Sequence, residues 1–174
     1  MNELNIPFNT LPMMINSYYL HNLNITKTEQ NHLPLLKKVI DSTGLFPSEY
    51  LEGMMEDYFT NSHSDDVWIT GIINDSPVGI AYFAPERLTN GTYNLYLIAI
   101  AKEFQNLGIG TLMIEYIETF LKQSNNRILI VETSGLSEFQ STRVFYQKRS
   151  YFKEAIIRDF YNDGNDKIVF WKKL

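Results

Sequence analysis

The chain has 174 residues, with 15 Lys and Arg against 20 Asp and Glu, three His, no Cys and a formal net charge of -5. That length suits one domain, and 44% hydrophobic with 20% charged residues is typical of a folded globular protein rather than a disordered one. The lack of Cys excludes disulfides, thiolate metal sites and a catalytic thiol, and three separated His residues favour neither a metal site nor a Ser-His-Asp triad.

The first part of the chain predicts an extension, a strand and two helices. Residues 1–21 mix apolar residues with Asn and Pro without a clear period, which indicates an N-terminal extension before one domain over residues 22–174. Polar and apolar residues alternate over Asn22–Thr26, as in a short half-buried strand. Two amphipathic helices follow, each opened by a candidate cap, from Thr28 to Gly44 and from Ser48 through Phe59.

The rest of the chain alternates strands and helices. Six apolar runs predict strands, at Val67–Ile73, Pro77–Ala84, Thr92–Ala101, Arg127–Thr133, Phe152–Phe160 and Lys167–Lys173. Turn sequences at residues 74–76 and 162–165 indicate hairpins. Amphipathic patterns predict helices over Gly108–Gln123 and Ser137–Lys148. The resulting order β-αα-βββ-α-β-α-ββ favours a mixed three-layer α/β domain.

Charge and hydropathy exclude two classes of partner. The acidic net charge without a Lys/Arg cluster argues against nucleic acid. The longest apolar stretch near the middle, Leu95–Ala101, is too short to span a membrane, and the amino terminus lacks the basic start of a signal peptide. We therefore expect a cytoplasmic protein with no membrane partner.

The sharpest local motif is Gln-Asn-Leu-Gly-Ile-Gly-Thr at residues 105–111, between a buried strand and a long amphipathic helix. Glycines let the backbone approach a ligand, and the free N–H groups at a helix start favour phosphate oxygens. No Gly-Lys-Ser/Thr follows, and Met113 stands where a dinucleotide fingerprint has its third glycine. The loop is a candidate pyrophosphate cradle, or else only a tight turn shaped by two glycines.

Two motifs and the order of the elements carry a family resemblance. The Gln-x-x-Gly-x-Gly pattern at residues 105–110 and the Phe145-Tyr146 pair in the next helix resemble the GNAT acyltransferases, over about Asn22–Leu174. Three further segments look like a small bacterial single-domain branch of that family: 132–134, 142–146 and 159–164. The resemblance implies a central mixed, mostly antiparallel sheet of about seven strands, splayed between strands 4 and 5 and flanked by about four helices.

The resemblance also implies acetyl-CoA as the cofactor. Backbone N–H groups of Leu107–Thr111 would hold its pyrophosphate, and the fourth strand would pair with its pantetheine arm. The predicted cofactor-binding residues are Ile98, Ala99, Ile100, Gln105, Asn106, Leu107, Gly108, Ile109, Gly110, Thr111, Phe139, Thr142 and Tyr146. The chain departs from the family pattern at Phe139, where an Asn is frequent, so Gln140 or Ser141 could supply that contact instead.

The family reaction is direct attack of an amine on the thioester in a ternary complex, without a metal. A backbone N–H near Ile100 would stabilise the oxyanion, and Tyr146 would protonate the departing thiolate, unless its ring only packs against the sheet. Glu132 is the first candidate base and Glu86 the second. The alternatives are that Glu132 is paired with a neighbouring Arg or caps a helix, and that Glu86 is a solvated loop carboxylate.

Aromatic residues are candidates for the acceptor pocket. The predicted substrate-binding residues are Phe46, Tyr82, Tyr93, Tyr96, Asp159 and Tyr161. Core packing would explain most of the aromatics, and a turn hydrogen bond would explain Asp159. An acidic protein with such aromatics favours a cationic amine.

These features predict an N-acetyltransferase that moves an acetyl group from acetyl-CoA to a primary amine of a small molecule or peptide. The alternatives are a non-catalytic CoA-binding module that acts as a sensor or interaction partner, and an enzyme for a longer acyl group or a hydroxyl acceptor. The sheet edges of such a fold are often covered by a second copy, which is consistent with a homodimer.

Overall fold

The computed structural model describes residues 19–174, so the prediction for residues 1–21 falls outside the described part except for residues 19–21, which are helical. The described strands are β1 Asn24–Lys27, β2 Val67–Ile73, β3 Ser76–Pro85, β4 Thr92–Ile100, β5 Ile128–Ser134, β6 Phe152–Asn162 and β7 Asn165–Lys173. The described α-helices are α1 Leu33–Thr43, α2 Tyr50–Met54, α3 Glu56–Thr60, α4 Ile109–Gln123 and α5 Gln140–Gln147. Short 3₁₀ turns occupy Gln30–His32, Lys102–Phe104 and Ser137–Phe139.

The seven strands are hydrogen-bonded in the order β1-β2-β3-β4-β5-β7-β6. β4 and β5 run parallel, whereas β1 with β2, β5 with β7, and β6 with β7 run antiparallel. The parallel pairing joins Thr92–Leu95 to Ile128–Val131, although β4 continues to Ile100 and β5 to Ser134. The predicted mixed sheet, with its middle strands paired only at their start and with flanking helices, is confirmed.

One compact unit contains the described residues up to Ser62, with Trp68–Ala81 and Ile98–Tyr116. β1 and β2 pair in it, and α1 ends where Gly44 adopts φ 66° and donates its N–H to the Ile40 carbonyl at 3.1 Å. Its largest buried apolar side chains come from both helices and strands: Leu36, Ile40, Leu51, Met55, Trp68, Ile69, Ile80 and Ile109. This unit carries the glycine loop.

The other compact unit contains His63–Val67, Tyr82–Leu97 and Ile117–Leu174. The continuously apolar β5 lies between β4 and β7, with Val131 opposite Phe170 in the antiparallel register. Its buried core consists mainly of Phe83, Leu95, Ile117, Leu121, Leu129, Val131, Tyr146 and Phe170. This unit carries Tyr146 and both candidate bases.

Thr28 does not cap the first helix, so that prediction is wrong. α1 begins at Leu33, and the Thr28 hydroxyl lies 2.9 Å from the Thr70 hydroxyl, both residues being buried. The Thr28 N–H donates to the Trp68 carbonyl at 2.9 Å. Thr28 therefore continues the pairing of β1 with β2, and β1 itself lies two residues later than predicted at its start.

The predicted second helix is divided into α2 and α3. Met55, where φ is -98° and ψ is 0°, separates them, and its side chain is fully buried. Gly53 weakens the helix just before this point because glycine has a low helix propensity. Ser48 is not the cap either, since Glu49 precedes α2 and Ser48 accepts the Leu51 N–H through its backbone carbonyl.

Described residues 19–174 contain no helix long and apolar enough to cross a bilayer.

Candidate active site

The glycine loop of the first unit connects β4 to α4. Gln105 donates a hydrogen bond from Nε2 to the Ile100 carbonyl at 3.0 Å, which fastens the start of the loop to the end of the strand. Asn106 and Gly108 then adopt left-handed conformations, with φ of 62° and 91°. A β-carbon on Gly108 would lie 3.2 Å from Leu20 Cδ2. The positive φ therefore favours glycine at this position, and a larger residue would also have to displace the Leu20 side chain slightly.

The backbone amides at the start of α4 are available for a ligand. The N–H groups of Thr111 and Leu112 donate to the Gly108 carbonyl at 3.0 and 3.2 Å, so hydrogen bonding within the helix begins with these two amides. The amides of residues 107–110 precede that turn, where a helix offers no earlier carbonyl as acceptor. With the positive end of the 15-residue α4, they can bind phosphate oxygens. Thr111, the last residue of the predicted cradle, uses its amide within the helix.

The end of β4 is largely buried and hydrogen-bonded within the same unit. Ala99 is buried, and Ile98 and Ile100 are half-buried. A β-carbon on Gly79 would lie 2.8 Å from Ile100 Cδ1, so the Ile100 side chain fills the space that Gly79 leaves. The Ala101 N–H donates to a β3 carbonyl, that of Val78, at 2.9 Å. Sequence analysis missed Gly79, whose only signal was a glycine within an apolar run.

Tyr146 lies on α5 in the second unit and is 2% exposed. Its ring contacts Tyr151 and Phe170, with centroids 5.5 and 5.6 Å away. Burial raises the pKa of the Tyr146 phenol well above its ordinary range, while Arg149 opposes that rise. The phenol therefore keeps its proton at neutral pH, which a proton donor requires. The Tyr146 ring also packs against Tyr151 and Phe170, as in the alternative in which it only packs against the sheet.

Arg143 anchors the start of α5 beside the end of β5. Its Nη1 donates to the carbonyls of Ser134 and Leu136 at 2.7 and 2.8 Å, and its Nη2 donates to Gln140 Oε1 at 2.7 Å. Phe139 and Thr142, both predicted to bind the cofactor, are half-buried in this region. In the sequence Arg143 belongs to the segment 142–146, and its residue pattern does not predict this positioning role.

Glu86 is held in a hydrogen-bond network rather than free in a solvated loop. Its Oε1 accepts hydrogen bonds from Asn94 Nδ2 at 3.0 Å and from the Tyr96 hydroxyl at 3.1 Å. The Tyr96 ring stacks on Tyr82 with centroids 5.3 Å apart, and the Tyr82 hydroxyl donates to Asp66 Oδ1 at 2.9 Å. Sequence analysis predicted Glu86, Tyr82 and Tyr96 but missed Asn94 and Asp66.

The charge of Glu132 acts on two tyrosines of the same unit. Burial and the charges of Glu86 and Glu132 raise the pKa of Tyr96, and burial and the Glu132 charge raise the pKa of Tyr161. We call Tyr82, Glu86, Tyr96, Glu132 and Tyr161 the acidic-aromatic cluster. Five predicted residues thus come together within one unit.

Glu132 is also paired with a cation, Lys167, rather than with the Arg that the alternative named. Lys167 Nζ lies 2.9 Å from Glu132 Oε2, and the Lys167 side chain is 10% exposed. The same Nζ stands 3.6 Å from the centroid of the Phe160 ring. Neither contact of Lys167 was predicted, because a lysine near the end of a hairpin gives no sequence signal of its partner.

The other three predicted substrate residues are not counted in this cluster. The Tyr93 ring contacts the Phe83 ring, with centroids 6.2 Å apart. Because successive side chains of a strand point to opposite faces of the sheet, Tyr93 and Tyr96 of β4 lie on opposite faces. Asp159 accepts the Gly164 N–H at 2.8 Å, which is the turn hydrogen bond of the alternative reading. Phe46 belongs to the first unit and is half-buried.

Comparison with known proteins gives the family. Residues 38–151 match the model of the acetyltransferase (GNAT) family. The chain belongs to the GNAT family. The loop of residues 105–110 and Tyr146 both fall inside the matched region.

Related GNAT proteins support the assignment. An uncharacterized N-acetyltransferase of Methanocaldococcus jannaschii is 30% identical over 83 residues, which are 48% of this chain and 53% of that protein. The match thus spans about half the length of this curated relative. A GNAT-family protein from Desulfovibrio desulfuricans is 26% identical with a TM-score of 0.81, covering 87% of this chain and 98% of the other.

A GNAT acetyltransferase from Elizabethkingia anophelis, solved with acetyl-CoA bound, shares the fold at 18% identity. Its TM-score is 0.68, and the match covers 88% of this chain and 99% of the other.

Proposed function

We propose that this GNAT protein transfers an acetyl group from acetyl-CoA to a primary amine of a small molecule or peptide. The observation that carries the proposal is the loop between β4 and α4, where Gln105 is fastened to Ile100 and the amides of residues 107–110 open the helix. Such amides bind phosphate oxygens, and the Elizabethkingia anophelis relative was solved with acetyl-CoA. We assign the pyrophosphate to these four amides and the pantetheine arm to the main chain of Ile98–Ile100.

Acetyl-CoA, when bound, supplies an activated thioester whose carbonyl carbon an amine can attack. In the reaction a C–N bond forms and the C–S bond breaks. The chain must then remove a proton from the amine nitrogen and deliver one to the departing sulfur. We assign the second task to the Tyr146 phenol, which holds its proton at neutral pH, and we assign stabilisation of the oxyanion to a backbone N–H near Ile100.

We propose Glu86 rather than Glu132 as the base. A carboxylate that takes a proton weakens the interactions that held it as an anion. For Glu132 that interaction is an ion pair with the poorly exposed Lys167, whereas Glu86 Oε1 is held by the neutral Asn94 and Tyr96. Protonation of Glu86 leaves no unpaired charge, so Glu86 exchanges a proton at lower cost.

The acidic-aromatic cluster favours an acceptor that carries positive charge before it reacts. The exposed Tyr96, stacked on Tyr82, offers a ring face to a cation, and Glu86 lies within hydrogen-bond distance of the Tyr96 hydroxyl. We therefore place the ammonium form of the acceptor amine at this cluster, where Glu86 takes its proton.

Calorimetric titration with acetyl-CoA, desulfo-CoA and NAD tests the cofactor assignment. We expect the two CoA compounds to bind and NAD not to bind. Gly108→Ala should abolish this binding. Gly44→Ala is the matched control, because Gly44 also has a positive φ in the same unit but a β-carbon there would meet nothing within 4 Å. Equal CoA affinity in both variants would remove the loop from the cofactor site.

The same samples distinguish an acetyltransferase from a non-catalytic CoA-binding protein. Tight CoA binding without acetyl transfer to any amine would favour the non-catalytic CoA-binding alternative. Acetyl transfer to amines would exclude it.

A further inference from the structure

Two stacked tyrosines of the acidic-aromatic cluster each donate a hydrogen bond to a carboxylate. The rings of Tyr82 and Tyr96 have centroids 5.3 Å apart and planes inclined by 25°. The Tyr96 hydroxyl donates to Glu86 Oε1 at 3.1 Å, and the Tyr82 hydroxyl donates to Asp66 Oδ1 at 2.9 Å. All four residues belong to one compact unit. Asp66 is therefore the counterpart of Glu86 on the neighbouring tyrosine, and the reaction described above gives it no role.

No cation of the described chain neutralises these two carboxylates. Within residues 19–174, no lysine, arginine or histidine forms an ion pair with Asp66 or Glu86, whereas Lys167 neutralises Glu132. Asp66 and Glu86 are both half-buried, so solvent screens their charges less than those of fully exposed residues. Two negative charges held by neutral donors attract positive groups from outside the chain.

A buried amide beside Glu86 lacks a hydrogen-bond donor. Asn94 is 1% exposed, and its Nδ2 donates to Glu86 Oε1 at 3.0 Å, which fixes the orientation of the amide. The Oδ1 of Asn94 has no hydrogen-bond partner among residues 19–174. An unpaired buried carbonyl oxygen is costly, so this atom points to an N–H donor that a ligand supplies. An ammonium at Glu86 has further N–H groups to donate.

The two tyrosine rings add an apolar surface beside both carboxylates. Tyr96 is 51% exposed and Tyr82 is half-buried. Aromatic rings pack against methylene groups, and their faces also attract cations. A ligand that matches this surface has an apolar chain with a positive group at each end.

We propose that the acceptor is a linear diamine and that Asp66 is the residue that selects it. This inference rests on the proposed acetyl transfer and adds the substrate class. One ammonium binds at Glu86 and Asn94, where it loses a proton and is acetylated. The methylene chain lies along Tyr82 and Tyr96, and the second ammonium binds Asp66 without reacting. A monoamine supplies no cation to Asp66 and therefore binds more weakly.

Kinetics with diamines and monoamines of equal chain length test the proposal in the wild type. We expect at least one diamine between 1,3-diaminopropane and 1,6-diaminohexane to exceed its monoamine in kcat/KM by about tenfold or more. The preference should pass through a maximum with chain length, because the two carboxylates are held in place. Equal values for the two amines, or a preference that does not vary with length, would overturn the proposal.

Asp66→Asn removes the charge with little change of shape. It should reduce the ratio of diamine to monoamine kcat/KM by about tenfold. Asp65→Asn is the matched control, because Asp65 is exposed and, after burial, its charge raises the pKa of Tyr93, on the face of β4 opposite to Tyr96. Circular dichroism checks that both variants fold. A ratio that survives Asp66→Asn, or falls equally in Asp65→Asn, would remove Asp66 from the site.

Calorimetric titration with the same amines in the presence of desulfo-CoA separates this inference from acetyl transfer. If no amine is acetylated, the proposed function fails. Tighter binding of the diamine, lost in Asp66→Asn, would then still support the diamine site. If amines are acetylated but diamine and monoamine bind equally well, the diamine site fails and acetyl transfer stands.

Discussion

Lys167 Nζ lies 2.9 Å from Glu132 Oε2, with 10% of the lysine side chain and 28% of the glutamate side chain exposed. This ion pair gives Glu132 a cationic partner, whereas the hydrogen-bond partners of Glu86, Asn94 and Tyr96, are neutral. The two carboxylates of the acidic-aromatic cluster therefore differ in the charge of their partners. Substitutions of the two glutamates should show this difference in stability and in rate.

Glu132→Gln should lower stability more than rate, and Glu86→Gln should do the reverse. The first leaves the poorly exposed Lys167 without its counter-charge, at a cost of about 1–3 kcal/mol in the free energy of unfolding. The second removes the proposed base, which should lower kcat/KM about 100-fold or more. Urea unfolding and thiol-release kinetics of both variants check this. A larger loss of rate in Glu132→Gln would return the base to Glu132.

Tyr146→Phe should lower turnover far more than it lowers acetyl-CoA affinity. The phenol proton is needed only when the C–S bond breaks, so kcat should fall about 100-fold or more while the Kd stays nearly constant. Tyr151→Phe is the matched control, since Tyr151 is buried in contact with the Tyr146 ring and donates to Glu118 at 2.8 Å. An unchanged rate in Tyr146→Phe, or equal losses of rate and affinity, would remove the proton-donor assignment.

Stability should fall at alkaline pH because of the same two tyrosines. Burial raises the pKa of Tyr146 and Tyr151 above the ordinary value of 10.0, and the Glu118 carboxylate raises that of Tyr151 further. Above that value the unfolded chain loses phenol protons that the folded chain keeps, so the unfolded state binds fewer protons and becomes favoured. Below it, this contribution to stability is complete.

Urea unfolding at a series of alkaline pH values measures this slope. Tyr146→Phe should reduce the loss of stability by about 1.4 kcal/mol per pH unit above the unfolded pKa. A slope identical to that of the wild type would show that the Tyr146 phenol is not buried in its neutral form.

Arg143→Ala should destabilise the chain and loosen α5. The variant leaves the carbonyls of Ser134 and Leu136 without their charged donor, at a cost of about 2–3 kcal/mol. Arg143→Lys keeps the charge but cannot reach three acceptors with a single ammonium, so it should recover only part of the stability. Chemical denaturation of both variants measures this, and a fully stable Arg143→Ala would contradict the anchor.

The sequence predicted the sheet well because its central strands carry strong local signals. The unbroken apolar run Ile128–Val131 predicts a central strand, and β5 indeed lies between β4 and β7. Asn74 and Asp75 likewise predict the tight turn in which both adopt positive φ, at 49° and 61°. Local residue types decide such features.

The sequence predicts less where a feature depends on residues far apart in the chain. Thr28 has the residue type of a helix cap, but its hydroxyl forms a hydrogen bond with the hydroxyl of Thr70, 42 residues later, beside the paired strands β1 and β2. Glu86 is predicted as the second candidate base, with a solvated loop carboxylate as the alternative, and nothing in the sequence shows that Asn94 and Tyr96 donate hydrogen bonds to it. The choice between two candidate bases likewise depends on Lys167, 35 residues beyond Glu132.

Release of free thiol from acetyl-CoA by the purified full chain, with a panel of mono- and diamines and of peptides with free amines, tests the central claim most directly. We expect thiol release that depends on an amine, with the acetylated amine identified by its mass, and loss of that release in Tyr146→Phe. Acetyl-CoA that binds but is never consumed with any amine, or thiol release that is unchanged in Tyr146→Phe, would contradict the account.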